Sequence, residues 1–194
     1  MRLVLASRSP QREAILRRLG LSFRVVVSRY AEGGDGGDGP ERLALANACG
    51  KAREVAGRAR LEDGELVLGV DTVVALGGRT YGKPRGAAEA GEFLAALGGR
   101  THHVHSGLCL LDGGREATAA ARTAVTFRPL TTETIGAYLA AGEWRQRAGA
   151  YAIQGLGSSL VTAIEGDYWN VVGLPVAALI GLLEGFGTPP LTWL

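Results

Sequence analysis

Several things are scarce in this chain, and each scarcity excludes something. Cysteine occurs twice, as Cys49 and Cys109, far apart in sequence and in no C-x-x-C spacing. Neither a disulfide framework nor a zinc site is indicated, and the pair reads as reduced, buried thiols of a cytosolic protein. Net charge is also small: 21 Lys and Arg against 19 Asp and Glu leave +2. The basic residues are interspersed with acidic ones, and Arg17-Arg18 reads as a solvated helix face. The clustered basic stripe of a nucleic-acid binder is missing. A small polyanion held by a few placed cations suits this charge better than a long one. Long apolar runs are absent too. The opening Met1-Arg2-Leu3-Val4-Leu5-Ala6-Ser7 is too short an apolar run for a signal peptide, and the stretch from Pro175 to Leu183 contains glycine and cannot span a bilayer. A soluble, cytoplasmic protein without a membrane partner is expected. Trp144, Trp169 and Trp193 read as packing or interface residues rather than base-stacking platforms.

Glycine is what the chain has in excess, at 30 of 194 residues, many in pairs that punctuate short elements. The length and the 46% apolar content suit one domain, or one two-lobed unit, over residues 1–194. Leu3-Val4-Leu5-Ala6 reads as a buried strand, and Ser9-Pro10 as the cap and first turn of a helix that Gly20 ends. Phe23 to Ser28 reads as a second strand. Glu32 to Gly39 is too rich in glycine for regular structure and reads as a mobile loop. A long helix follows over Glu41 to Arg60. An apolar strand over Glu65 to Val70 is expected to end at Asp71-Thr72, with extended chain to Leu76 and a hairpin at Gly77-Gly78. Gly86 to Leu97 and Thr131 to Ala141 read as helices, His102 to Leu111 and Arg115 to Phe127 as a hairpin. Leu160 to Ile164 and Trp169 to Val172 read as segments flanking a turn, and Pro175 to Phe186 as the closing helix. The mixture of alternation and hairpins predicts an α/β fold: a mixed, twisted sheet flanked by helices.

Four places set polar groups beside glycines or strand ends. Leu5 to Arg12 joins a strand to a helix N-terminus, where free N–H groups, Ser7, Ser9 and Arg12 suit an anion; a plain cap with a surface arginine is equally compatible. Asp71, at the close of an apolar strand, could accept a proton from water, hold a cation, or serve as a turn residue. Lys83, between Gly82 and Pro84, is a positioned point charge or an exposed hairpin lysine. Gln154 lies among apolar residues between Gly149 and Gly157, and a buried amide there needs either backbone partners or a nucleobase edge. His103 and His105 share a strand face with His102 opposite, and ordinary strand histidines are favoured over metal ligands.

Taken in order, these segments resemble the Maf family of nucleotide pyrophosphatases over nearly the whole chain. Leu5-Ala6-Ser7-Arg8-Ser9-Pro10-Gln11-Arg12 is similar to the family's L-A-S-x-S-P-x-R opening. Glu32 and Lys51 fall where the family carries an acid and a lysine. Gly69-Val70-Asp71-Thr72, Gly82-Lys83-Pro84, Thr101-His102-His103-Val104, Ala148 to Gly157 and Val172-Gly173-Leu174-Pro175 resemble the later motifs. The resemblance implies a Maf/ITPase-like fold around a central cleft. It also implies hydrolysis of a nucleoside triphosphate to monophosphate and pyrophosphate with a divalent cation, Mg or Mn. Asp71 is then the proton acceptor. Ser7, Ser9, Arg12, Glu32, Lys51 and Lys83 line the phosphate end, and Glu32 and Asp71 are the candidate metal ligands. A homodimer is a family-level expectation.

Three positions bear on the base. The type acting on dTTP and UTP carries Arg, Thr and Gln where this chain has Gln11, Thr72 and Gln154; the type acting on 7-methyl-GTP carries Trp, Gln and Glu. Two of the three match the first type, and one amide complements the alternating acceptor and donor of a pyrimidine edge. Gln11 departs from both. The alternatives are a pyrophosphatase for 7-methyl-GTP or another modified nucleotide, and a nucleotide-binding regulator of septum formation.

Overall fold

The computed structural model describes residues 1–33 and 39–192. Leu3, Val4 and Leu5 fill β1 (Arg2–Leu5), and Pro10 opens α1 (Pro10–Arg18). Ser9 is the N-cap residue by position, but its hydroxyl caps nothing; it donates to Gln11 Oε1 at 3.2 Å instead. The second strand, β2 (Phe23–Val25), is shorter than the sequence suggests, because Ser28 and Arg29 turn away to bond the Glu54 carboxylate at 2.9 Å each. The long helix is α2 (Pro40–Arg58). Of the expected glycine-rich loop, residues 34–38 lie outside the described residues, as does Trp193.

The strand carrying Asp71 corrects the sequence reading. Rather than ending there, β3 (Glu65–Leu76) runs through, which places Asp71 mid-strand. Gly77 and Gly78, both at positive φ, turn the chain into β4 (Arg79–Tyr81). There follow α3 (Ala87–Leu97), the long hairpin β5 (Thr101–Asp112) and β6 (Arg115–Phe127), and α4 (Thr132–Ala141), which Thr131 caps through Thr134 N at 3.2 Å. Short 3₁₀ turns at Ala148–Ala150 and Leu156–Leu160 lead to β7 (Val161–Glu165). Trp169 to Val172 flanks the turn after β7 as expected, and it does so as a helix, α5 (Tyr168–Val172). Asp167 caps it, accepting from Trp169 N at 2.7 Å, and the buried Asn170 amide donates to Val104 O and Thr123 Oγ1 at 3.0 and 2.9 Å. An extended chain would leave that amide without those partners. The closing helix is α6 (Val176–Gly185).

The sheet is mixed, as expected, in the order β2-β1-β3-β5-β6-β7 with β4 also on β3. β1 lies parallel to β2 and β3; the rest is antiparallel. Alternate residues of β3 face opposite layers. Val67 packs with Ala48, Ala52 and Val55 of α2. Leu66, Leu68 and Val70 pack against α1 and α6, and Val74 joins a separate cluster under α3 and α4. The edge of β3 away from β5 is shared. β1 pairs with residues 65–68 and β4 with 74–76, so among the described residues none pairs as a strand with 69–73 on that side. β1 runs parallel to β3 and β4 antiparallel, so both lead their following segments, Ser7–Arg12 and Gly82–Pro84, toward the gap from its two ends. No helix among the described residues is long and apolar enough to cross a membrane.

The three histidines divide as the strand period requires. His102 points into the core, where Nε2 meets Tyr151 Oη at 2.9 Å and the ring stands edge-on to Phe127 and Tyr151. His103 and His105 share the other face, their rings 6.2 Å apart. Burial, with a small contribution from His103, lowers the His102 pKa to about 4. Between pH 6.5 and 4 the unfolded chain therefore binds a proton the folded chain does not, so stability is full above pH 6.5 and falls as the pH drops toward 4. The expected loss is on the order of 3 kcal/mol. Denaturant titrations at pH 7.5 and 4.5 should show it, and His102→Gln should flatten that part of the pH dependence.

Candidate active site

The site begins with how closely α2 approaches the sheet. Its inner face is a stripe of Ala44, Ala48 and Ala52, all fully buried. Opposite lie Gly69 on β3 and Gly107 on β5. A Cβ on Gly69 would strike the carbonyl of Ala48, and one on Gly107 the backbone of Ala44. Alanine against glycine lets backbone meet backbone. The next face of α2 then carries Asn47 and Lys51, one turn apart, directly over Asp71.

Asp71 and Lys51 are 7% and 6% exposed and form a buried ion pair, Lys51 Nζ lying 2.6 Å from Asp71 Oδ1. Asn47 donates through Nδ2 to the other carboxylate oxygen at 3.0 Å. A second carboxylate reaches the same ammonium: Glu32 Oε1 is 2.7 Å from Lys51 Nζ, on a side chain about half exposed. The Tyr30 ring lies over Gly50, where any Cβ would collide with it, and Gly33 N donates to Asn47 Oδ1 at 3.0 Å. These contacts hold the segment bearing Glu32 on α2. Burial raises the Glu32 pKa, but Lys51, Lys83 and Arg12 outweigh it, and the net shift is downward. Both carboxylates therefore face one cation, with Glu32 held ionised.

Arg12 closes the gap from the β1 side. Its guanidinium is buried and uses three donors within the protein: Nε to Gly173 O at 3.0 Å, Nη1 to Ser7 Oγ at 3.0 Å and Nη2 to Thr72 Oγ1 at 3.2 Å. Burial lowers its pKa, opposed by the charges of Asp71 and Glu32. Five N–H groups are available to arginine, so two remain for a ligand. Thr72 Oγ1 also lies 2.9 Å from Ser106 Oγ. Ser7 Oγ accepts from Ser9 N at 3.2 Å, which shapes the loop before α1. Lys83 enters from the β4 side, its backbone tied down by Gly149 N donating to Gly82 O at 3.2 Å. Burial lowers its pKa below the usual lysine value; Glu32 and Asp71 oppose the shift, while Arg12 and Lys51 reinforce it. Lys83 makes no ion pair within 4 Å among the described residues, which leaves its ammonium free to meet an incoming anion.

The structure thus gathers Ser7, Arg12, Glu32, Lys51, Asp71, Thr72 and Lys83 at one place. It does not bring the three specificity positions into contact. Thr72 sits behind Arg12, Gln11 accepts from Ser9, and Gln154 is exposed rather than buried, in a hollow of about 540 Å³ with Ser158, Thr162 and Tyr168. Three participants are new. Asn47, Ser106 and the Gly173 carbonyl hold site residues directly. Asn47 had a readable signal, its four-residue spacing from Lys51 on one helix face, and Gly173 lies in the closing motif Val172 to Pro175, though its role as an anchor for Arg12 was not readable; Ser106 had no signal, because only the tertiary fold places it.

The chain matches the Maf-like protein family over residues 2–186. It belongs to the Maf family. Curated relatives include the dTTP/UTP pyrophosphatase of Moorella thermoacetica, 50% identical over 188 residues, covering 96% of this chain and 95% of that one. The dTTP/UTP pyrophosphatase of Gloeobacter violaceus is 46% identical over 186 residues, 96% of both chains. Among solved structures, the Staphylococcus aureus Ham1 protein superposes with a TM-score of 0.52 at 13% identity, over 96% of this chain and 97% of that one, which extends the likeness of fold beyond likeness of sequence.

Two measurements check the geometry of this Maf site. Gly107→Ala pushes α2 off the sheet and should cost about 1–3 kcal/mol in a denaturant melt, with a loss of nucleotide binding larger than the loss of stability explains. Lys51→Met leaves Asp71 buried without its cation, and breaking such a pair should cost about 3–5 kcal/mol. A Lys51→Met chain as stable as the parent would show that the pair is not closed in solution.

Proposed function

We infer that this Maf protein hydrolyses nucleoside triphosphates to the monophosphate and pyrophosphate, favouring dTTP and UTP. The observation that carries the reading is the joint burial of Asp71 with Lys51 at the β3 gap, flanked by Arg12 and Lys83, in a chain half identical to a dTTP/UTP pyrophosphatase. A triphosphate needs several fixed cations and one general base, and little covalent help.

Water attacks the α-phosphorus, the bond from that phosphorus to the β-bridging oxygen breaks, and pyrophosphate leaves. Asp71 takes the proton of the attacking water. Asn47 and Lys51 each hold one of its oxygens, fixing the plane of the carboxylate and leaving lone pairs toward the gap. Lys83 and the free N–H groups of Arg12 meet the charge that grows on the departing phosphates. Ser7, Ser9 and the α1 N-terminus donate to phosphate oxygens.

The donor set also suits a divalent cation. Glu32 and Asp71 converge on one ammonium, and two carboxylates completed by substrate phosphate oxygens and water make a usual magnesium environment. Such an ion, once bound, neutralises phosphate charge and lowers the repulsion that water meets. Gln154, exposed and making no hydrogen bond to any described residue, is free to offer both donor and acceptor to a pyrimidine edge.

Asp71→Asn should retain the fold and lose at least about a hundredfold in turnover, roughly 2.7 kcal/mol of transition-state stabilisation. Pyrophosphate release from dTTP and UTP, with Mg or Mn and with chelator, checks this. Near-parental turnover in that variant removes Asp71 from its role, and faster release from 7-methyl-GTP than from UTP overturns the base preference.

A further inference from the structure

Far from the nucleotide gap in chemistry, though close to it in space, the two cysteines turn out to be neighbours. Sequence spacing gave no zinc signature, yet one donor atom each from Cys49, Cys109 and Glu116 lies within 4.8 Å of the others. They come from three elements: α2, β5 and β6. Both thiols are free and buried. We propose that Cys49, Cys109 and Glu116 bind one thiophilic divalent cation of zinc's kind, distinct from any ion at the nucleotide site.

Four observations carry it. Ligand atoms around a tetrahedral zinc stand roughly 3.3–3.8 Å apart, from Zn–S of about 2.3 Å and Zn–O of about 2.0–2.2 Å; small side-chain rotations bring these three donors to that spacing. The inner wall is apolar, formed by Val67, Ala52 and Leu111, while Glu116 is exposed, so an ion can enter from the β6 side and keep water as a fourth ligand. The carboxylate is already oriented by Arg53, whose Nε and Nη2 donate to its two oxygens at 2.8 and 2.6 Å; metal ligands are held by such outer contacts. Charge also balances, since the dication, two thiolates, one carboxylate and the Arg53 guanidinium sum to zero. Binding forms two metal–sulfur bonds and one metal–oxygen bond and releases the two thiol protons to solvent, with no change of oxidation state.

The location gives the ion a structural effect. Cys49 precedes Lys51 by two residues on α2, and Cys109 pairs in register with Gly69, two residues before Asp71. An ion bridging them fastens the helix bearing Lys51 to the strand bearing Asp71. Softness separates the two sites: thiolates select zinc-like ions, whereas the oxygen set of Glu32 and Asp71 selects magnesium-like ones.

The test uses the full chain, reduced and freed of metal, titrated with Co²⁺. Sulfur ligation gives a thiolate-to-cobalt charge-transfer absorption that an oxygen-only site does not. One equivalent per chain should raise the band, and Zn²⁺ should bleach it. Asp71→Asn should keep it, Cys49→Ala and Cys109→Ser should abolish it, and Glu116→Gln should weaken Co²⁺ binding by about 10-fold or more. Cys109 is the deeper of the two, so Cys49→Ala, matched to the parent by circular dichroism, decides the matter if Cys109→Ser fails to fold. No band in the folded parent, or an undiminished band in Cys49→Ala, overturns the site. So does a chain purified without reductant that is two hydrogens lighter and recovers no Co²⁺ band on reduction.

Discussion

The contact between the backbone of α2 and the floor made by Gly69 and Gly107 is the constraint on which the rest depends. A helix packed on ordinary side chains stands off its sheet by the height of those side chains. Here alanines meet glycines, and the helix descends until Lys51 and Asn47 reach a carboxylate in the middle of β3. The same descent removes water from the pair. Desolvating two charges is expensive and is compensated only by good geometry and further hydrogen bonds. The second Asp71 oxygen has Asn47, and the Lys51 ammonium has Glu32 and the Val70 carbonyl. The pair is thus complete as a polar unit, and it sits beside the interval of the β3 edge that no described strand covers.

That interval explains how distant stretches converge. A strand edge normally binds another strand. The β3 edge is occupied by β1 at one end and β4 at the other, and the interval between them is filled by side chains from the segments each strand leads into. Arg12 illustrates the economy of the arrangement: it is a strut to Thr72, Ser7 and Gly173 and, through its spare N–H groups, a cation facing the gap. Lys83 is the complementary case, an exposed side chain on a backbone held at its neighbour, left to find its partner in a ligand.

Much of this was legible before folding was considered. Apolar alternation, Gly-Gly turns and proline-led helices gave the mixed sheet and its flanking helices, and the ordered motifs identified the residues that the gap collects. What escaped had physical causes. β3 was cut short because a charged residue within an apolar run reads as a terminus, whereas Asp71 is carried through the sheet by its buried partners. The type of the Trp169 to Val172 segment was not legible, because the Asp167 cap and the partners of the buried Asn170 amide, which make it helical, are set by the tertiary fold. Gln154 was expected under cover because its sequence neighbours are apolar, but Ile153 turns inward and the amide turns out. Sequence distance also hid the nearness of Cys49 and Cys109, since register between β3 and β5, not spacing, decides which residues α2 meets.

The bond from Arg12 to the carbonyl of Gly173 spans 161 positions of chain. During synthesis, the arginine leaves the ribosome long before this anchor has been made, and until then only Ser7 and Thr72 are there to orient its guanidinium. A growing polypeptide can lay down the strands around Asp71 and still lack a finished phosphate seat. The full set of three bonds to Arg12 is therefore completed only when the segment that joins α5 to α6 docks.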